Sequence, residues 1–171
     1  MFQNIKTTKG AALERVNFLA PTAYQSEAAN AFEHHARRLR QLLPDAEIIH
    51  IGSSAVPGAW SKGDLDILVR VSAGDFASSR QVLSRHLALN EGSTHDANLA
   101  SFKDDRTQPP LGVQLVVAGG PYDDFEQFGA YLRDHPEMLE AYNALKKRHE
   151  GGAMTTYRAE KSEFIERVLE K

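Results

Sequence analysis

The segment from 48 to 71, IIHIGSSAVPGAWSKGDLDILVRV, constrains the fold more than any other part of the chain. An apolar run (Ile48, Ile49, Ile51) stops at Gly52-Ser53-Ser54. A small-residue connection then passes through Pro57-Gly58, and an alternating stretch begins at Asp64. Short apolar runs bounded by glycine and proline read as two strands joined by a tight connection. Period-two alternation puts Leu65, Ile67, Val69 and Val71 on one face of the second strand, and Asp64 with Asp66 on the other. Neighbouring carboxylates repel and lose hydration, so such a pair at a strand mouth calls for water, a proton or a cation between them. Gly52 allows the backbone to approach a ligand closely, and the amides and hydroxyls of Ser53 and Ser54 suit a phosphate.

A Gly-Ser pair, a short connection and Asp-x-Asp on a strand resemble the signature of the nucleotidyltransferase, or polymerase-beta-like, fold. More narrowly, HIGSSAVPG followed by Lys62-x-x-x-Asp66-Ile67 resembles the GrpB family, small bacterial proteins of that fold. Later segments resemble it too: Tyr131-Leu-Arg-x-His-Pro136, Ala144-Leu-Lys146 and Tyr157-x-x-x-Lys161-x-x-Phe164-Ile165. The resemblance runs from His50 onward. It implies an α+β (mixed α/β) fold, with a mixed central sheet packed with helices and a helical C-terminal third from about residue 122. By position it puts phosphates on Gly52, Ser53 and Ser54, and a divalent metal, Mg²⁺ or Mn²⁺, on the catalytic pair Asp64 and Asp66. The implied ligand is a nucleoside triphosphate or a phosphorylated small molecule, and the implied reaction passes a nucleoside monophosphate to an acceptor that no residue identifies. GrpB relatives commonly keep only the second aspartate, so Asp64 brings this chain nearer to the wider superfamily.

The superfamily's third carboxylate is expected on a later strand, and here the pattern departs. Residues 111–118 alternate as a strand with Val113, Leu115 and Val117 on one face and Gln114 and Val116 on the other. Gln114 is the polar occupant of the expected face, and a neutral amide binds magnesium weakly. One well-held ion is the expectation, with either slow transfer or a catalytically weak protein of the same fold that binds a nucleotide or phosphometabolite.

Elsewhere the spacing predicts a helix over 25–43 with Ala29, Phe32, Ala36, Leu39 and Leu43 inward, and His34, His35, Arg37, Arg38 and Arg40 on a solvated side. Residues 13–19 form a short edge strand or lie across the domain, and 46–51 form the first strand. His50 reads as a hydrogen-bonded strand histidine, or as a ring that orients a phosphate or a metal-bound carboxylate or touches substrate. Residues 55–61 make a helical turn or a tight loop. Lys62 is either solvated or neutralises a polyphosphate. Ser72 or Asp75 caps a helix to about 87 that buries Phe76, Val82 and Leu83. Residues 87–92 end that helix or form a short strand, 98–102 form a strand, and 103–110 form a polar loop whose Asp104, Asp105 and Arg106 are solvated charges.

Helices follow over 122–132, from a capping box at 134–137 to about 148 (burying Met138, Tyr142 and Leu145), and from 155 or 156 to 169. Tyr157, Lys161, Phe164 and Val168 fall on one stripe of the last helix. Lys161 either snorkels to water or faces the phosphate cleft, and Tyr157 is a candidate to touch the substrate or a residue that holds it. Lys146 is ranked behind Lys161, because Lys146-Lys147-Arg148 also reads as a charge run at a helix end.

The 171 residues are read as one domain, 1–171. Without cysteine, thiolate catalysis and cysteine-ligated zinc are excluded. A formal net charge of -3 predicts no extended nucleic-acid surface and leaves room for one basic pocket. No apolar run approaches the ~18 residues of a membrane span, so no membrane is expected and a cytoplasmic location is. There is no Gly-x-x-x-x-Gly-Lys-Ser/Thr segment for a P-loop and no Ser-His-Asp spacing for a hydrolase, so Ser53 is read as a phosphate donor.

Overall fold

The computed structural model describes residues 14–169. Its elements are α1 (Pro21–Leu42), β1 (Glu47–Ile51), a 3₁₀ turn (Ser53–Ala55), β2 (Leu65–Val71), α2 (Phe76–Ser84), β3 (Ala88–Leu89), β4 (Leu99–Asp104), β5 (Leu111–Val117), α3 (Phe125–Asp134), α4 (Pro136–Arg148) and α5 (Met154–Leu169). The strands form one sheet in the order β1-β2-β5-β4-β3. Only β2 and β5 run parallel; the other neighbours are antiparallel. The mixed sheet and helical C-terminal third are as the sequence implied.

Alternation on the central strands gives the sheet two unlike faces. Leu65, Ile67 and Val69 of β2 and Val113 and Leu115 of β5 are fully buried, with Phe102 of β4, in a cluster with Ala36, Leu39 and Leu43 of the α1 end and Phe76 and Leu83 of α2. Each such side chain contributes about 1.5–3 kcal/mol of transfer free energy. The opposite face carries Ile51, Leu68, Leu99 and Val116, packed against Tyr122 and Phe125. The last three helices have an aromatic core of their own: Phe128, Tyr142 and Phe164 sit with ring centroids 5.1 Å, 5.4 Å and 6.2 Å apart.

Several boundaries differ from the sequence reading. Helix α1 starts at Pro21, because proline in the first turn gives up a donor that would have no helical partner. Its buried stripe runs through Tyr24, Ala28, Ala36 and Leu39, which leaves Ala29 exposed. Strand β2 begins at Leu65, so Asp64 lies one residue before the ladder. The capping box at 134–137 is not formed: His135 is the N-cap of α4 and makes no side-chain cap bond, while Pro136 occupies the first turn. Ala88–Leu89 is a short strand, and β4 runs on to Asp104. Of the 13–19 segment, residue 13 lies outside the described residues; Arg15 and Leu19 make single bridges to Ala153 and Ser61. Arg37, Arg38 and Arg40 are exposed, as read. No helix among the described residues is long and apolar enough to cross a membrane.

Candidate functional site

The site lies where β1 ends, β2 begins and the C-terminal helices close over the sheet. Gly52 leaves β1 at φ +74°, a conformation that favours glycine. A Cβ there would lie 2.6 Å from Asp66 Oδ2. Gly112 of β5 stands opposite Asp66 in the parallel register, and a Cβ on it would lie 2.8 Å from Asp66 Oδ1. The Asp66 carboxylate thus sits in a cradle between two backbones, and both flanking positions must lack side chains. Asp64, just outside the strand, pairs with Lys62 at 2.8 Å.

Across the cavity stands Lys146. It is 1% exposed, and its Nζ donates to Ser53 Oγ at 2.7 Å and to the Trp60 carbonyl. Nζ also lies 4.0 Å from the centroid of the Tyr142 ring, where a positive charge would be favoured. Lys146 is therefore a buried group of the site, the cleft-facing of its two readings, and its ranking behind Lys161 rested on the helix-end charge run. The helical stripe that buries Tyr142 and Leu145 carries Lys146 inward with them. Lys161 lines the same cavity, which favours the cleft over the snorkelling reading.

The cavity holds about 310 Å³ and brings together Gly52, Ser53, Lys62, Asp64, Asp66, Gln114, Lys146, Tyr157 and Lys161. Two sequence candidates are not among its lining. Ser54 is buried and its hydroxyl is taken by His50 Nε2 at 2.8 Å. The His50 ring stacks on Phe32 with centroids 4.8 Å apart, beneath α1. His50 and Ser54 thus brace the turn from behind, and the substrate-contact reading of His50 is not met. Alternation is the reason: Ile51 faces the cavity, so His50 faces α1.

Gln114 does line the cavity, but it stands opposite Leu68, one pleat beyond Asp66, and its amide oxygen accepts from Ser101 Oγ. Among the described residues no group of three or more histidines or carboxylates comes together to hold a metal.

Burial raises the Asp66 carboxyl to about 6, helped by the charge of Asp64 and opposed by Lys161 and Lys62. Burial also lowers Lys146 to about 6, with Lys161 and Lys62 adding repulsion and Asp64 opposing it. The Tyr142 hydroxyl is pushed up to about 12, first by burial. Tyr157 is raised by burial and then by Tyr142.

The loop from Ser53 to Ser61 is tied down by residues that sequence reading missed. Tyr24 donates to the Ala59 carbonyl at 2.7 Å and Gln25 to the Val56 carbonyl at 2.7 Å. Asn143 accepts from Trp60 N–H and donates to the Gly58 carbonyl, both at 2.9 Å. An asparagine in mid-helix, where its propensity is poor, was the one available signal. Its partners lie more than eighty residues away, so no local pattern names them.

The chain matches the GrpB protein family model over residues 21–171 and belongs to that family. It is 36% identical over 157 residues to a UPF0157 protein of Vibrio cholerae, covering 91% of this chain and 83% of that one. A UPF0157 protein of Deinococcus radiodurans is 32% identical over 150 residues, covering 84% of this chain and 76% of the relative. The conserved protein GrpB from Enterococcus faecalis superposes with a TM-score of 0.65 at 21% identity, covering 88% of this chain and 93% of that chain. These matches agree with the resemblance carried by the segments around Gly52, Tyr131 and Tyr157.

Proposed function

We propose that this GrpB protein binds a nucleoside triphosphate or a related phosphorylated small molecule together with one divalent cation, and that it is built as a slow nucleotidyltransferase. The observation that carries the reading is the convergence in one cavity of the Gly52-Ser53 turn, the cradled Asp66 and the buried Lys146. A buried lysine amine bonded to a serine hydroxyl at a glycine turn is equipped to take a phosphate oxygen, whose negative charge draws a proton onto the amine. Lys161 adds a second positive charge on the same wall.

Asp64 and Asp66 fit one Mg²⁺ or Mn²⁺. Burial first, and the charge of Asp64 second, raise the proton affinity of Asp66, and a divalent ion beside the two carboxylates would offset both. When bound, such an ion supplies charge neutralisation at the phosphates. This chain's residues do the rest: Ser53 and Lys146 hold the outer phosphates, Lys161 offsets charge on the leaving pyrophosphate, and Gly52 leaves room for the Asp66 carboxylate beside the turn. In the transfer, the acceptor oxygen or nitrogen bonds the α-phosphorus while the α–β bridging bond breaks. Pyrophosphate leaves with the electron pair, and the acceptor's proton passes to solvent. Gln114 favours a second reading, binding without transfer, because it adds no third charge for a second ion.

Calorimetry of ATP, GTP, CTP and UTP with and without Mg²⁺ tests the binding, followed by a pyrophosphate-release assay. Asp66→Asn is expected to abolish the metal dependence, and Lys161→Met to weaken triphosphate more than nucleoside binding. Nucleotide titrations that are flat in the wild type, or unchanged in a folded Asp64→Asn/Asp66→Asn double variant, sink the proposal.

A further inference from the structure

The charged groups of the cavity come from the loops, β2, α4 and α5, whereas α3 contributes a wall with no polar side chain: Phe125, Phe128, Gly129 and Leu132. Val56 and Ile165 extend that wall. It is anchored in the aromatic core, since Phe128 packs on Tyr142 and Phe164. The cavity is therefore two-ended, with a lysine and carboxylate cluster at one end and a firm apolar surface at the other. The neutral amide in the cavity lining is Gln114, whose oxygen is already engaged by Ser101 Oγ. Its NH₂ offers a donor that any nucleobase satisfies, because every base presents a ring nitrogen or carbonyl acceptor. Gly129 completes the surface. A Cβ there would make ordinary contacts, 3.6 Å from Val56 Cγ2 and 3.6 Å from Arg133 Nη1, so glycine is not demanded by crowding. Glycine inside a helix costs about 1 kcal/mol relative to alanine. Its position on the cavity wall gives that cost a use: the absent side chain leaves room for a ligand.

The geometry points to a subsite on α3 for a flat aromatic body carried on a phosphate chain, held by apolar contact and without selection among nucleobases. This rests on the phosphate anchor proposed above and adds the class of group that it presents to the wall. Apolar and aromatic packing reads area rather than hydrogen-bonding edges, so purine and pyrimidine nucleotides are bound alike, and so is a simple aryl phosphate.

Calorimetry on the full chain with Mg²⁺ tests it, using inorganic tripolyphosphate, the four nucleoside triphosphates, phenyl phosphate and inorganic phosphate. Each nucleotide is expected to bind about tenfold more tightly than tripolyphosphate, with the four within about threefold of one another. Phenyl phosphate is expected to outbind inorganic phosphate, and a larger gain for nucleotides marks the base and sugar as its source. In Gly129→Leu the side chain fills the subsite, and the advantage of nucleotide over tripolyphosphate collapses to about one. Gly129→Ala, which fits at ordinary contact distance, checks that a helix without this glycine still folds. One base preferred by about tenfold or more, no gain over tripolyphosphate, no gain of phenyl phosphate over phosphate, or an advantage that survives in folded Gly129→Leu overturns the inference. Those results leave the phosphate anchor standing. A wild-type protein that takes up neither tripolyphosphate nor nucleotide fails the anchor instead.

Discussion

The two faces of the sheet are built from alternate residues of the same strands, and they do opposite things. Toward α1 and α2, Leu65, Ile67, Val69, Val113 and Leu115 are sealed from water in a cluster without a charged member. Toward the cavity, the intervening positions hold Asp66, Gly112 and Gln114, and α4 supplies the buried Lys146. The closed face gains from every side chain it buries. The open face keeps a carboxylate and an ammonium in environments that disfavour their charges, as Asp66 and Lys146 both show. The first face is given wholly to stability, while the second, apolar at Leu68 and Val116, gives some of it up around Asp66 and Lys146 to hold a site ready for a charged ligand.

Substitutions that treat the two faces alike should therefore have opposite effects. The largest expected change is on the closed face: Ile67→Ala leaves a void under α1 and costs about 2–5 kcal/mol, read as a lower midpoint in urea unfolding. On the open face, Lys146→Met is expected to raise stability at pH 7 by about 1–3 kcal/mol while cutting tripolyphosphate affinity about tenfold or more.

The pH dependence carries its own sign. The unfolded lysine binds its proton up to the ordinary range near 10.5, and the folded one releases it near 6. Wild-type stability thus climbs with pH between those values, and the advantage of Lys146→Met shrinks toward pH 10. Equal or lower stability of the methionine variant across that range breaks the comparison.

Asp66→Asn is the next test, with an expected gain of about 1–2 kcal/mol at pH 7 after allowance for the open cavity. The folded carboxyl holds its proton to about 6 against 3.8 unfolded, so wild-type stability falls as pH rises through that window and the gain vanishes near pH 4. Thermal unfolding at pH 4 and pH 7 in the absence of divalent ions reads the difference. Asn143→Ala sharpens the contrast at the loop. It releases Gly58 and Trp60, costs about 1 kcal/mol and weakens phosphate binding without touching the ligand. A loss of stability with no loss of tripolyphosphate affinity would separate the loop from the site. The smallest effect is expected of Gln114→Glu, which adds a carboxylate on the face of Asp66. Mg²⁺ affinity should rise by a few fold, about 1 kcal/mol, in a metal titration. An unchanged titration in a folded variant would place Gln114 outside the reach of the ion.

Much of this was legible in the chain itself. Strand alternation separated Ile67 and Val69 from Asp66, and the Gly52-Ser53 break marked the turn, because period two and glycine conformation are local properties. The same local rule explains why Ser54 was misassigned. Both serines follow Gly52 in sequence, but the 3₁₀ turn swings Ser54 behind the strand to His50 while Ser53 remains on the cavity side. Lys146 shows the other limit. Its place among Lys147 and Arg148 fits a helix-end charge run as well as a cleft lysine, and only the packing of α4 against the loop decides for the cleft by putting it beside Ser53, 93 residues away. Asn143, Tyr24 and Gln25 likewise acquire their roles from backbone atoms distant in sequence. The sequence by itself determined which residues alternate, where the chain turns and which family it joins. The tertiary structure decided which charges are removed from water and which serine meets a lysine, because burial and long-range hydrogen bonding depend on what the rest of the chain brings alongside.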